Sequence, residues 1–153
     1  MLSARAPHLA GGVLLSPQGG FGVTSVMTQR AATIRHRTSL FEEAVTIVDM
    51  EYGSDLSLDD VARRVASSRR QLQRAYAEIG RTTFREHLTK VRMERAAELL
   101  ATRRPTVREV AQRVGYRQPA QFAKAFRRHH GMAPSAYRST GAPGSLRGAR
   151  EAA

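Results

Sequence analysis

Apolar residues recur along the middle of this chain at helical spacing, and no segment alternates like a strand for more than a few residues. Ser39 and Glu42 form a capping-box pair, followed by Phe41, Val45, Val48 and Tyr52 at steps of four, three and four, with Gly53 as the stop. Ser57 with Asp60 opens a short helix carrying Leu58, Val61, Ala62 and Val65. Ser68 with Gln71 opens the next, with Leu72, Ala75, Tyr76 and Ile79 inward. A longer helix is predicted from about Thr83 to Leu100, its stripe led by Phe84, Leu88, Val91 and Leu99, before the break at Pro105. Thr106 with Glu109 caps a helix bearing Val107, Val110, Ala111 and Val114, which Gly115 ends. Pro119 suits the first turn of a helix with Phe122, Ala125, Phe126 and His129 inward, and a last short helix follows Pro134.

The ends lack such periodicity. Residues 1–38 contain Gly11-Gly12, Pro17, Gly19-Gly20 and Gly22, and are expected to be a flexible N-terminal segment. Their apolar stretch Leu9–Leu15 is interrupted by two glycines and lacks a small-x-small cleavage site, so export is not expected. Residues 141–153 are expected to be a flexible C-terminal tail. The folded domain is thus expected over 39–140.

That domain contains a repeat. Ser57-Leu-Asp-Asp-Val-Ala-Arg-Arg-Val-Ala66 aligns with Thr106-Val-Arg-Glu-Val-Ala-Gln-Arg-Val-Gly115 at an offset of 49, and Tyr76, Arg81 and His87 match Phe126, Gly131 and Tyr137 at an offset of 50. Each copy has what a helix-turn-helix requires: a small residue where the helices nearly touch (Ala62, Ala111), a sharp turn (Ala66-Ser67-Ser68, Gly115), and an apolar anchor (Leu72, Phe122). The turn at Ala66 is a departure, because a left-handed residue costs Ala on the order of 1 kcal/mol where Gly adopts it freely. The predicted architecture is all-α, two helix-turn-helix units joined by a long linker helix, about seven helices in total, with flexible tails.

Charge adds a partner to this picture. The 153 residues carry 25 Lys+Arg against 13 Asp+Glu, net +12, and 23 of the 25 bases are Arg. Residues 39–56 hold five acids and no Lys or Arg, so the positive charge falls mainly on the two repeats. Such an excess points to a polyanion, nucleic acid before an anionic membrane surface. No run of 18 apolar residues exists to span a bilayer. The absence of Cys excludes disulfides, thiolate zinc sites and a cysteine nucleophile.

The inward sets leave Arg69, Arg70, Gln73 and Arg74 on the outer face of one second helix, and Ala120, Gln121 and Lys124, then Arg127 and Arg128, on that of the other. Arg suits guanine, Gln suits adenine, and an Ala methyl meets a thymine methyl. A face serving only solubility mixes signs; here Glu78 is the lone acid between Ser67 and Ile79, and none lies between Arg117 and His130. The 18-residue linker helix would be about 27 Å long. It therefore suits two helices entering major grooves about 34 Å apart on one face of B-DNA.

Residues 39–139 resemble the DNA-binding domain of the AraC/XylS family of bacterial transcription regulators. The resemblance rests on Ser57-Leu-x-x-Val-Ala-x-x-Val, Leu72-Gln-Arg-x-Tyr76, Phe84-x-x-x-Leu88, Val91-Arg-Met-x-Arg-Ala-x-x-Leu-Leu100, Val110-Ala-x-x-Val-Gly-Tyr116, Gln121-Phe-x-x-x-Phe126 and Gly131-Met-x-Pro-Ser-x-Tyr-Arg138. It implies a seven-helix domain binding promoter DNA, with base contacts from Arg70, Gln73, Arg74, Ala120, Gln121 and Lys124. Phosphate contacts are expected from Arg69, Arg117, Arg127 and Arg128. The pattern departs from the family at Ala66 and at Arg81, each standing where a turn Gly is usual. Most relatives add a sensor and dimerisation domain too large for residues 1–38. The chain therefore resembles the small stand-alone members, monomers controlled by abundance; the alternative is that 1–38 is a remnant of a sensor domain.

Other features have plain explanations. His129-His130 lacks nearby Cys or carboxylate ligands, Asp59-Asp60 suits a first helical turn, and Gly11–Gly22 has no Gly-Lys-Ser/Thr of a phosphate loop. The acidic 39–56 helix is expected to pack with its carboxylates outward; the alternative is a meeting with a basic patch on RNA polymerase. No nucleophile–base set or metal cluster suggests an enzyme, and no cofactor is expected. The expected function is a sequence-specific, cytoplasmic, nucleoid-associated transcription regulator, an activator by resemblance, acting on double-stranded promoter DNA. The rivals are a basic protein-interaction bundle and a nonspecific nucleoid-binding protein.

Overall fold

The computed structural model describes residues 21–140, with side chains from Met27 onward. Seven helices and no strand occur among them: α1 (Phe21–Glu51), α2 (Leu58–Arg64), α3 (Arg69–Glu78), α4 (Phe84–Ala101), α5 (Val107–Arg113), α6 (Pro119–His130) and α7 (Pro134–Thr140). The tail expected over 141–153, and the part of the N-terminal segment over 1–20, lie outside the described residues. The chain divides into two compact units, one ending at Thr33 and one beginning at Ile34.

The capping boxes account for three helix starts. Ser68, Thr83 and Thr106 each accept from the backbone N–H three residues on, and Gln71, Glu86 and Glu109 reach back to the cap N–H. Ser57 accepts from Asp60 N at 3.1 Å. Pro119 stands at the start of α6, where its missing N–H leaves no bond unmade.

The pair Ser39–Glu42 does not start a helix. α1 runs unbroken from Phe21, so residues 21–38 are helical rather than part of a flexible segment. An N-cap residue is itself extended, whereas Ser39 lies inside a helix that has already begun at Phe21. The hydroxyls instead bond along the helix, Thr38 to the Ile34 carbonyl at 3.0 Å and Ser39 to Glu43 at 2.9 Å.

α2 with α3 and α5 with α6 form the two helix-turn-helix pairs, and their turns are the same motif. Ala66 N–H donates to Arg63 O and Ser67 N–H to Ala62 O; 49 residues later, Gly115 N–H donates to Gln112 O and Tyr116 N–H to Ala111 O. This is the Schellman arrangement. Its left-handed residue is Ala66 at φ 49° in the first unit and Gly115 at φ 82° in the second. Arg81 likewise takes φ 51° where the matched Gly131 has 77°. The departures at Ala66 and Arg81 thus keep the turn and bear its strain.

Separate cores lie under the two pairs. Phe41, Ala44, Val61, Ala62, Leu72 and Tyr76 pack together in the first. Met93, Ala96, Leu100, Val110, Phe122 and Phe126 lead the second. Tyr76 is the centre of the first: Phe41 and Phe84 meet it edge-on at 5.2 and 5.8 Å, and its hydroxyl lies 3.2 Å from His87 Nδ1. Burial pushes the Tyr76 hydroxyl up and the His87 imidazole down. At the end of α6 it is His130, not His129, that turns inward. Its ring lies 4.4 Å from that of Phe126, and its Nε2 is 3.1 Å from the Met93 carbonyl oxygen, so the ring nitrogen donates there. Its register four residues past Phe126 explains the choice.

The matched turns make opposite substitutions informative. Ala66→Gly is expected to leave stability unchanged or raise it by up to about 1 kcal/mol, because relief of the left-handed cost exceeds the added unfolded-state entropy. Gly115→Ala is expected to cost about 1–2 kcal/mol or more for that conformation alone. The new Cβ would also lie 2.8 Å from Arg92 Nη2. Urea titration of both variants checks the pair of signs.

Acid is expected to weaken the caps. Glu86 and Glu109 are held below the ordinary 4.5, chiefly by the Thr83 and Thr106 backbone N–H groups they accept. A lowered carboxylate stabilises the fold above its unfolded pKa, and that gain disappears as pH falls through the folded one. The melting temperature should therefore drop as pH falls below 4.5. The combined Glu86→Gln, Glu109→Gln variant should show a shallower drop over the same range.

Candidate nucleic-acid interface

The sequence of α3 divides cleanly by side. Leu72, Ala75 and Tyr76 are buried, which leaves Arg69, Arg70, Gln73 and Arg74 exposed in the first turns. On α6, Phe122 and Phe126 are buried and Ala120, Gln121, Lys124, Arg127 and Arg128 are exposed. All six residues expected to meet bases are therefore solvent-facing, three on each second helix. Arg117 is exposed in the turn before α6.

The four expected phosphate-contacting residues are not equivalent. Arg69 is paired to Asp59 at 2.6 Å, and Arg117 to Asp55 at 3.0 Å. Exposed pairs of this kind are weak and screened by salt, so both cations can exchange their carboxylate for a phosphate. Arg127 and Arg128 have no ion pair among the described residues, and neither do Arg70, Arg74 and Lys124. Five strong donors thus stand uncompensated on two helices.

The acids are engaged elsewhere. Glu78, the one carboxylate of α3, pairs with Arg37 of α1. Asp60 bonds Ser57 and Arg63, and those bonds lower its pKa. Glu51 accepts a forked bond from Arg64 at 2.5 and 2.7 Å, which lowers the carboxyl and raises the guanidinium. The pair Asp59-Asp60 is thereby split between two arginines. Glu42, Glu43 and Asp49 of α1 face solvent.

One cation outside the expected set lies beside α3. Arg85, in the first turn of α4, shares a shallow cleft with Arg70, Gln73 and Arg74, floored by Leu58, Tyr76 and Phe84. The signal for it is local: only five residues separate the end of α3 from the start of α4, which keeps that first turn close to α3. Among the described residues, no group of three His, Cys, Asp or Glu is placed to hold a metal. No described helix is long and apolar enough to cross a membrane.

A helix-turn-helix domain family matches residues 61–140, just over half of the chain. The lactose operon transcription activator of Staphylococcus xylosus is 29% identical over 97 residues, 63% of this chain and 35% of that protein. The chain spans about a third of the length of the curated relatives it matches. Among solved structures, the C-terminal domain of AraT, a response regulator from Geobacillus stearothermophilus, superposes with a TM-score of 0.63 at 35% identity. The match covers 67% of this chain and 86% of that one. The DNA-binding domain of AdpA, a global transcriptional factor solved in complex with a target DNA, gives 0.62 at 28% identity over 74% and 97%. The duplicated turn, the two exposed cationic helices and these likenesses agree: the chain belongs to the AraC-type helix-turn-helix family.

Proposed function

We propose that this chain is a sequence-specific regulator of transcription, an activator, that binds promoter DNA as a monomer and places α3 and α6 in adjacent major grooves. The observation that carries this reading is the pair of exposed cationic outer faces at matched positions of a duplicated scaffold, with Glu78 the one carboxylate on either helix. Arg70, Gln73 and Arg74 read bases in one groove, and Ala120, Gln121 and Lys124 in the next. Arg69, Arg117, Arg127 and Arg128 hold phosphates and set register without reading sequence. α4, with 18 residues, is about 27 Å long and keeps the helices apart at groove spacing. The reaction site is the bacterial chromosome in the cytoplasm, and no cofactor takes part. An activator also needs a surface for RNA polymerase, and the exposed Glu42, Glu43 and Asp49 of α1 offer one opposite in charge to the DNA face.

Two measurements test this. Arg70→Ala or Arg74→Ala is expected to cost about 1–3 kcal/mol on the preferred duplex and to relax specificity at one position. Competition titration against random duplexes reads that difference, and an equal loss on both duplexes would demote these residues to phosphate contacts. Hydroxyl-radical footprinting with one monomer bound is expected to protect two blocks about one helical turn apart. A single protected block would limit reading to one unit.

A further inference from the structure

The loop after α1 touches both helix-turn-helix units: Ser57 caps α2, Leu56 packs on the first core, and Tyr52 packs on the second. Residues 52–57 follow α1, whose Leu40 and Ala44 are buried against the first unit and whose Val48 is buried against Leu88 and Val91 of α4. Tyr52 packs at the edge of the second unit's core, and the Arg95 guanidinium lies over its ring at 5.9 Å. The loop thus starts on the second unit at Tyr52 and ends on the first at Leu56 and Ser57.

Arg92, in the middle of α4, fastens its start. Its Nε donates to the Tyr52 carbonyl at 2.7 Å and its Nη2 to the Ser54 carbonyl at 2.8 Å. Its Cζ lies 5.7 Å from the centre of the Tyr116 ring, in the turn of the second unit. One half-buried guanidinium thus holds the α1 loop with its edge and the second turn with its face. Two glycines show how close the pieces are. A Cβ on Gly53 would lie 2.5 Å from the Arg113 carbonyl oxygen. A Cβ on Gly115 would lie 2.8 Å from Arg92 Nη2 and 3.0 Å from the Gly53 carbonyl oxygen. Nothing larger than hydrogen fits where loop, turn and guanidinium meet. Lysine cannot replace this arrangement, since a planar fork that donates in its plane and stacks on its face is particular to arginine.

A second unit that rocks on α4 would carry α6 with it. One base pair displaces the next groove by about 3.4 Å along the axis and rotates it by roughly 34°. Recognition by two helices on one rigid body is therefore intolerant of altered spacing, and recognition by two loosely joined helices is not. We propose that Arg92 is a positioning residue for DNA recognition: by clasping the 52–54 carbonyls and the Tyr116 ring together, it sets the single half-site spacing that the protein accepts. The proposal rests on the reading that both units enter the DNA.

The test uses the full chain and three sets of duplexes: the preferred site, the same site with one base pair added or removed between its two blocks, and each block alone. For the wild type, a changed spacing is expected to weaken binding about tenfold or more, the cost of a lost good contact. For Arg92→Met, which keeps the unbranched stem of the side chain and removes its guanidinium donors, that penalty is expected to shrink to about threefold or less. Affinity for either block alone should stay within about twofold, because neither reading helix is touched. Arg92→Lys is expected to give a smaller loss of the same sign, and it carries the test should Arg92→Met fail to fold. Weakening that is uniform over all duplexes, with the spacing penalty intact, would make Arg92 merely structural and overturn the assignment. A wild type that is itself indifferent to spacing would instead sink the two-groove reading, and this assignment with it.

Discussion

What α3 and α6 can offer a ligand depends on one backbone conformation, repeated twice. A single left-handed residue, Ala66 or Gly115, reverses the chain between two short helices whose close approach is made at Ala62 and Ala111. Once that reversal is made, Leu72 and Phe122 have one place to go, and each is fully buried. The outer face of the second helix then follows from helical geometry alone, with no need for interactions among its polar residues. This is why side chains as long as Arg70 and Arg74 can stand free: nothing in the fold asks for their charge. Rigid apolar anchoring behind and unpaired donors in front is the arrangement that reading base edges requires.

The distribution of carboxylates follows the same logic. In a chain of net +12, each acid is a potential neutraliser of the binding face. Glu86 and Glu109 cap helices, Asp60 and Glu51 bind Arg63 and Arg64, and Glu78 is taken up by Arg37. Asp59 and Asp55 hold Arg69 and Arg117 in exposed pairs that salt or phosphate can displace. The acids thus support the scaffold and leave α3 and α6 positive. Arg92 adds a further tie between the loop after α1 and α4, and because its donors go to backbone carbonyls it brings no opposing charge.

Much of this was legible in the sequence because it obeys local rules. The starts of α2 to α6 are written in capping pairs and one proline, the two turns in a repeat of fixed offset, and the exposed site residues in the spacing of the anchors behind them. Where local signs stood alone they failed. Ser39 and Glu42 have the chemistry of a cap, but a helix-permissive stretch before them lets α1 continue from Phe21. His129 and His130 are equivalent by composition, and only the Phe126 ring and the Met93 carbonyl decide which turns inward. Arg92 bonds a carbonyl 40 residues away, and no spacing rule reaches that far. Arg85 lay close by in sequence, yet its place beside α3 depends on how tightly α4 follows it.

The central claim is that two duplicated cationic helices read DNA together. Repeated selection of bound duplexes from a random-sequence pool tests it most directly. The account expects enrichment of an asymmetric site made of two dissimilar blocks, centred about one helical turn apart, because α3 presents Arg and Gln while α6 presents Ala, Gln and Lys. A pool that binds but never enriches, or that converges on one short block, would contradict it.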